Sequence, residues 1–294
     1  MFAISIKQDP YPSYILSDQE NHSRLEVVPE RGGIITKWRI QGQDILYLDE
    51  ERFADRKLSV RGGIPILFPI CGNLPDNTYT YKEKQYTLKQ HGFARDLPWE
   101  VAERITEGCA GITLVLKSNE KTRAVYPFDF RLEMTYQLKG KTLTLRQTCT
   151  NQSTEVMPFS TGFHPYFWSG NKNQLEFEIP ATQLQDQRTK ETRIFDGTFD
   201  FEQNEIDAAL SPVTGNATAI CDRRRNLKIT LHYSDLYSML VFWTLKGKNY
   251  VCLEPWSAPR NALNTGEHLT HLDPGASCEA LVEMSVSYLS GNSV

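Results

Sequence analysis

Apolar and polar residues alternate with a period of two through most of the chain. Between 143 and 149, Leu143, Leu145 and Cys149 share one face, while Thr144, Arg146 and Thr148 share the other. Leu227, Ile229, Leu231 and Tyr233 alternate with Lys228, Thr230, His232 and Ser234 in the same way. Near the end, Cys278, Ala280, Val282, Met284, Val286 and Tyr288 form one apolar face over alternate positions. Successive side chains of a strand point to opposite faces, so each segment predicts a half-buried β-strand. Lys139-Gly140 separates 131–138 from 142–150, and Glu107-Gly108-Cys109-Ala110-Gly111 separates 99–106 from 112–117. Both predict hairpins, because glycine reaches the positive φ a tight turn needs. Gln41-Gly42-Gln43-Asp44 ends a strand over 34–40, and 79–81 with 85–87 predict a small hairpin over 82–84. Helical spacing is scarce. A short helix is expected over 50–56 with Asp49 as N-cap, and one helical turn over 259–263. Strand after strand without crossover helices predicts an all-β fold, a large antiparallel β-sandwich with residues 1–294 as one domain.

Composition narrows the function classes. With 40% hydrophobic and 23% charged residues, the chain is neither disordered nor fibrous. A net charge of -4 lacks the basic excess of a nucleic-acid binder, so no nucleic-acid partner is expected. The first ten residues show no basic leader followed by an apolar run, and the apolar stretches 64–70 and 239–243 are too short to span a bilayer. No signal peptide and no membrane partner are expected. Cys71, Cys109, Cys149, Cys221, Cys252 and Cys278 are scattered with no Cys-x-x-Cys pair, which suggests buried free thiols and a cytoplasmic protein.

Four segments interrupt the alternation. Val60-Arg61-Gly62-Gly63-Ile64-Pro65 opens an apolar run to Asn73 whose glycines and prolines spoil a regular strand. Arg61 there offers a rigid donor fork for hydroxyls or a phosphate, or a surface ion pair. Gln90-His91-Gly92-Phe93-Ala94-Arg95 gathers an amide, an imidazole and a guanidinium beside an aromatic, although a loop histidine is commonly just solvated. In Phe159–Trp168, His164 is the one imidazole inside a strongly aromatic run. It is either a hydrogen-bonded core residue or a proton donor in a dry pocket. In Tyr250–Trp256, Glu254 shares a face with Cys252 and Trp256 while Val251 and Leu253 occupy the other, so neither face is polar. A buried carboxylate needs a partner; the alternatives are a buried Glu–Arg pair and a base whose pKa is raised toward neutrality. His268 and His271, with Glu267 and Asp273 nearby, lie in an irregular segment unsuited to zinc. No nucleotide fingerprint and no Gly-x-Ser-x-Gly elbow is present.

Taken in order, these segments resemble the galactose mutarotase-like superfamily, and specifically the aldose 1-epimerase family. Pro65-Ile66-Leu67-Phe68-Pro69-Ile70 followed by Gln90-His91-Gly92-Phe93-Ala94-Arg95 is similar to the family's first signature. Gly162-Phe163-His164-Pro165-Tyr166-Phe167 is similar to its His-Pro-Tyr-Phe signature, and Leu253-Glu254-Pro255-Trp256 to its catalytic-Glu strand. The resemblance runs from about residue 32 to 286. It implies a supersandwich with a concave site in which His164 protonates the ring oxygen and Glu254 takes the anomeric proton. It further implies that Arg61, His91 and Asp207 hold sugar hydroxyls, with Gln90 and Arg95 close by. Phe93, Phe167 or Trp256 would lie against the ring. No metal or nucleotide cofactor is needed, and the partner is a small-molecule sugar, bound by a monomer or homodimer. The Arg61-Gly62-Gly63 and His91–Arg95 stretches are also similar to hexose-6-phosphate (glucose-6-phosphate) 1-epimerases, where arginines grip the phosphate. Leu67–Ile70 and the 79–86 hairpin look more like the unphosphorylated-aldose branch, which is the favoured reading. Two other classes compete: a non-catalytic carbohydrate-binding sandwich, and a glycosidase using Glu254 and Asp207 as its carboxylate pair.

Overall fold

The computed structural model describes residues 1–8 and 10–289. Three antiparallel sheets carry the architecture. The first is a five-stranded meander of Phe2–Lys7, Ser13–Asp18, Ser23–Val28, Ile34–Ile40 and Gln43–Asp44. The second has eight strands in the order Leu175–Glu178, Ala217–Asp222, Leu227–Tyr233, Ser277–Tyr288, Thr142–Asn151, Phe130–Lys139, Ala110–Lys117 and Glu100–Ile105. The third runs Thr192–Ile194, Ala181–Asp186, Glu205–Val213, Met239–Leu245, Tyr250–Trp256, Gly162–Phe163 and Ile66–Leu67, with Tyr166–Trp168 also paired to Tyr250–Trp256.

The alternation read from the sequence sets the layers. In the second sheet Leu143, Leu145, Val282, Met284, Ile229 and Leu231 are fully buried and turn toward the third sheet. In the third sheet Leu240, Phe242, Val251, Leu253, Ala208 and Leu210 join the same apolar cluster. Burying each such side chain stabilises the fold by about 1.5–3 kcal/mol before entropy is counted. The other face of the third sheet carries what period two leaves over: Glu205, Asp207, Val241, Trp243, Glu254 and Trp256. That face is concave and holds the cleft described below.

The expected hairpins are present. Gly140 at φ 60 turns Phe130–Lys139 into Thr142–Asn151, with Leu138 opposite Leu143. Thr78–Tyr81 pairs with Lys84–Thr87 over the two-residue turn between them. Helix Glu50–Ala54 is capped by the Asp49 side chain, which accepts from the Arg52 N–H at 3.1 Å, and it ends two residues before the expected Arg56. The expected turn over 259–263 is displaced: the helical residues are Ala262–Thr265. A second helix, Glu120–Val125, lacks an apolar stripe long enough to read by periodicity; the capping box of Asn119 and Thr122 starts it. Four of the six free cysteines are buried, whereas Cys109 and Cys278 are half-buried rather than core residues. Among the described residues no helix is long and apolar enough to cross a membrane.

Candidate active site

One cleft of about 350 Å³ is lined by all seven residues singled out in the sequence: Arg61, Gln90, His91, Arg95, His164, Asp207 and Glu254. They arrive from four directions. Glu254 and Asp207 stand on neighbouring parts of the concave sheet, where period two turns them outward from the core. His164 follows the Gly162–Phe163 strand; its N–H is held by the Pro65 carbonyl at 3.1 Å, and the ring stacks on Tyr166 with centroids 4.7 Å apart. Gly162 is required there, because a Cβ would lie 2.7 Å from the Pro255 carbonyl oxygen on the adjacent Glu254 strand.

His91 comes from the loop that closes the other side. Its backbone sits in the left-handed region at φ 66, a conformation that costs a non-glycine residue on the order of 1–3 kcal/mol. What holds it is a reciprocal pair of bonds with Gly72. The His91 N–H donates to the Gly72 carbonyl at 2.7 Å, and the Gly72 N–H donates to His91 Nδ1 at 3.1 Å. With Nδ1 accepting, the ring proton belongs on Nε2, the nitrogen left for the cleft. Burial first, and then the charge of Arg95, hold His91 well below the usual histidine range, so it is a neutral donor.

At the floor, His164 Nε2 lies 3.3 Å from Glu254 Oε1. Glu254 is buried, with no arginine bound to it among the described residues; its other oxygen accepts from Trp256 Nε1–H at 3.1 Å. Burial pushes the Glu254 carboxyl well above the ordinary carboxylate range, and the neighbouring Asp207 charge pushes in the same direction. Burial, followed by the Arg95 charge, lowers His164 to about 3. Both shifts favour the neutral form, so a protonated carboxyl beside a neutral imidazole is favoured over an ion pair. His164 Nδ1 has no hydrogen-bond partner among the described residues, so what faces Nε2 decides where the ring proton sits.

Asp207 is gripped by a residue the sequence reading did not name. Arg260 Nη2 donates to both Asp207 oxygens, at 2.8 and 2.9 Å, and Nη1 donates to Asn73 Oδ1 at 3.1 Å. Its guanidinium lies 5.6 Å from the Trp256 ring centroid. Gly72 leaves room for it, since a Cβ there would meet Arg260 Cγ at 2.3 Å. Arg260 escaped notice because it sits in an irregular stretch that reads as a helical turn. Arg95 Nη2 donates to the Gln90 carbonyl at 2.9 Å, leaving its buried Nε without a partner among the described residues.

The aromatic expectations divide. Trp256 lines the cleft, but Phe93 and Phe167 do not: Phe93 packs against Phe130 at 5.8 Å, and Phe167 is buried in the core. Trp243 and Tyr166 take that position instead, with Trp243 Nε1–H donating to Glu205 at 2.8 Å. Alternation along Met239–Leu245 would have revealed Trp243, which shares a face with Val241. Among the described residues one cluster has metal-ligating chemistry, His164, Cys252 and Glu254, whose ligand atoms lie within 4.8 Å of one another. It belongs to this same floor, not to the His268–His271 loop.

A buried carboxyl group and imidazole in contact, ringed by neutral and cationic donors, thus line a cleft on the concave sheet. The chain belongs to the aldose 1-epimerase family, whose model matches residues 14–285, and the family is one of sugar isomerases. The Slr1438 protein of Synechocystis sp. PCC 6803 shares 48% identity and superimposes with a TM-score of 0.94, covering 98% of this chain and all (100%) of that one. A galactose mutarotase-like protein of Clostridium acetobutylicum, 21% identical over 98% of this chain and 99% of its own, has the same fold at a TM-score of 0.82. A Cenchrus ciliaris protein, provisionally named a glucose-6-phosphate 1-epimerase, is 26% identical over 76% of this chain and 72% of its own.

Proposed function

We propose that the protein is an aldose 1-epimerase that interconverts the α and β anomers of an aldohexose by acid–base opening and closing of the ring. The observation that carries this reading is the His164–Glu254 contact of 3.3 Å on a cleft floor surrounded by hydroxyl-binding groups. Ring opening takes a proton from the anomeric O1–H and gives one to the ring oxygen as the C1–O5 bond breaks. Rotation about C1–C2 then presents the other carbonyl face, and closure reverses both transfers. A pair that shares one proton can serve both directions. With the proton on His164 it is ready to open the ring, Glu254 acting as base and His164 as acid. With the proton on Glu254, the form that burial favours, it is ready to close one. Each such group contributes about 10²–10⁴-fold to the rate. Arg61, His91 and Asp207 would hold hydroxyls, with Gln90 and Arg95 behind them. We further infer a cytoplasmic protein acting as one domain, monomeric or homodimeric, because free thiols and one dominant apolar cluster suit that setting.

Polarimetry tests the reading. The optical rotation of fresh α-glucose or α-galactose should fall to its equilibrium value faster with the protein than with buffer, and treatment with EDTA should leave that rate unchanged. No acceleration with any aldohexose or its 6-phosphate would end the proposal. A hexose-6-phosphate substrate is the second reading, supported by Arg52 and Arg61 in the cleft lining. Neither makes a salt bridge among the described residues, which suits a dianion. Rates on glucose and glucose 6-phosphate separate the two. The glycosidase reading loses support because Arg260 Nη2 holds both Asp207 oxygens, and a lectin would have no use for a desolvated acid–base pair.

A further inference from the structure

The floor of the cleft holds a third reactive side chain, which the proton transfers do not use. Along Tyr250–Trp256, period two sets Cys252 and Glu254 on the same face of the strand. The chain carrying His164 runs antiparallel beside it, with Gly162 opposite Trp256 and Tyr166 opposite Cys252. His164 falls between those two registers, level with Glu254. An imidazole, a free thiol and a carboxyl therefore converge, and one ligand atom from each lies within 4.8 Å of the other two. All three residues are buried, Cys252 completely, where it packs with Tyr166 and Tyr250.

Nitrogen, sulfur and oxygen donors in one cluster select a thiophilic cation, Zn²⁺ or Cd²⁺, over Mg²⁺ or Ca²⁺, which take oxygen ligands. Around a tetrahedral zinc ion, bonds of about 2.0–2.3 Å place neighbouring ligand atoms about 3.3–3.6 Å apart. His164 Nε2 and Glu254 Oε1 already stand 3.3 Å apart, and the sulfur has to close in by roughly 1 Å at most. Charge fits as well. A divalent ion displaces the thiol proton of Cys252 and the carboxyl proton of Glu254, and the two anions cancel its charge. Burial disfavours each anion alone, whereas a neutral complex is far less costly to bury. His164 is held neutral and needs no deprotonation to become a ligand.

We propose that His164, Cys252 and Glu254 form an inhibitory site for Zn²⁺ or Cd²⁺, with the fourth coordination position open to the cleft. The site itself stands on geometry. Its inhibitory effect rests on the acid–base reading above, because the ion takes the two atoms that would move the protons. Three protein ligands, with no acceptor for His164 Nδ1 among the described residues, make it a reversible trap rather than a structural metal site.

Cd²⁺ titration of the metal-free protein reads the site directly, through the ultraviolet charge-transfer band of a thiolate bound to the metal. One equivalent should bind. Cys252→Ala should abolish the band, while Cys109→Ser, at a half-buried thiol elsewhere, should keep it. His164→Asn, which leaves the sulfur in place, should weaken Cd²⁺ binding by at least about tenfold. Zn²⁺ should stop anomerisation of the better substrate, glucose or glucose 6-phosphate; EDTA should restore it, and Mg²⁺ should have no effect. Cys252→Ala should keep most of the metal-free parental rate and resist Zn²⁺, since the thiol takes no part in the proton transfers. No band in the parent, a band that survives in Cys252→Ala, or unchanged Cd²⁺ affinity in His164→Asn overturns the site. A band that depends on Cys252, alongside unimpaired turnover in Zn²⁺, overturns the inhibition. The same band in a protein that anomerises no sugar supports the site and overturns the acid–base reading.

Discussion

The two eight-stranded sheets follow the same rule of alternation, and they differ in what covers the face turned away from the core. On the second sheet that face meets water. Arg146 pairs with Glu279, Arg223 with Glu176 and Lys228 with Glu178, most of these side chains about half exposed. On the third sheet, Glu254 and Asp207 occupy equivalent outward positions, yet loops carrying Arg61, His91 and Arg95 close over them. Solvent keeps a charged side chain charged; its loss pushes Glu254 up and His164 down until both favour neutrality. The chemistry thus comes from the covering of the strand, and the strand pattern alone does not distinguish the two faces.

Substitution of the buried pair should break that contrast most sharply. Glu254→Gln and His164→Asn should each lower kcat by about 10²–10⁴-fold. The glutamine can still accept from Trp256 Nε1–H and can donate to His164 Nε2, so Glu254→Gln should unfold at no lower temperature than the parent. Activity near the parental level in both variants would show that the covered face is merely structural.

The pH profile sharpens the same point. The working pair carries one proton. It gains a second as pH falls through the lowered His164 value of about 3 and loses its only one as pH rises through the raised Glu254 value. A plateau between these two limbs is therefore expected, with the acid limb far below the ordinary histidine range and the alkaline limb above the ordinary carboxylate range. Asp207 raises the Glu254 value through its charge, so Asp207→Asn should move the alkaline limb to lower pH. A limb that stays put would remove Asp207 from the electrostatics of the pair.

How far the sequence led follows from this contrast. Alternation and turn glycines specified strands and hairpins such as 131–138 with 142–150, because both are local signals. Glu254 stood out for the same local reason, a carboxylate on a strand with no polar face, and motif order joined it to His164, His91 and Arg61. Arg260 was not legible. Its position depends on the space beside Gly72 and on Asp207, about fifty residues away, and neither leaves a trace in its own neighbours. Trp243 was legible in principle, yet its run reads as uniformly apolar. Phe167 adjoins Tyr166 on a strand, so period two sends it to the core side, whereas Phe93 lies in the turn leading into Ala94–Asp96, where alternation does not apply, and packs against Phe130.

The smallest effect is expected on the solvated face, and it completes the comparison. Arg146 and Glu279 pair across adjacent strands, Thr142–Asn151 and Ser277–Tyr288, with their charged ends in water. Exposed pairs of this kind contribute about 0–1 kcal/mol, since water solvates either partner almost as well as the other does. Arg146→Ala, Glu279→Ala and the double variant should therefore differ from the parent by less than about 1 kcal/mol in chemical denaturation, with unchanged anomerisation rates. Their charges are also too well screened to reach the cleft through the apolar layer, so the pH profile should not move. A shift of either limb in these variants would mean that charge on the solvated sheet is felt at His164 and Glu254. In that case covering by loops would not be what separates a catalytic face from a structural one.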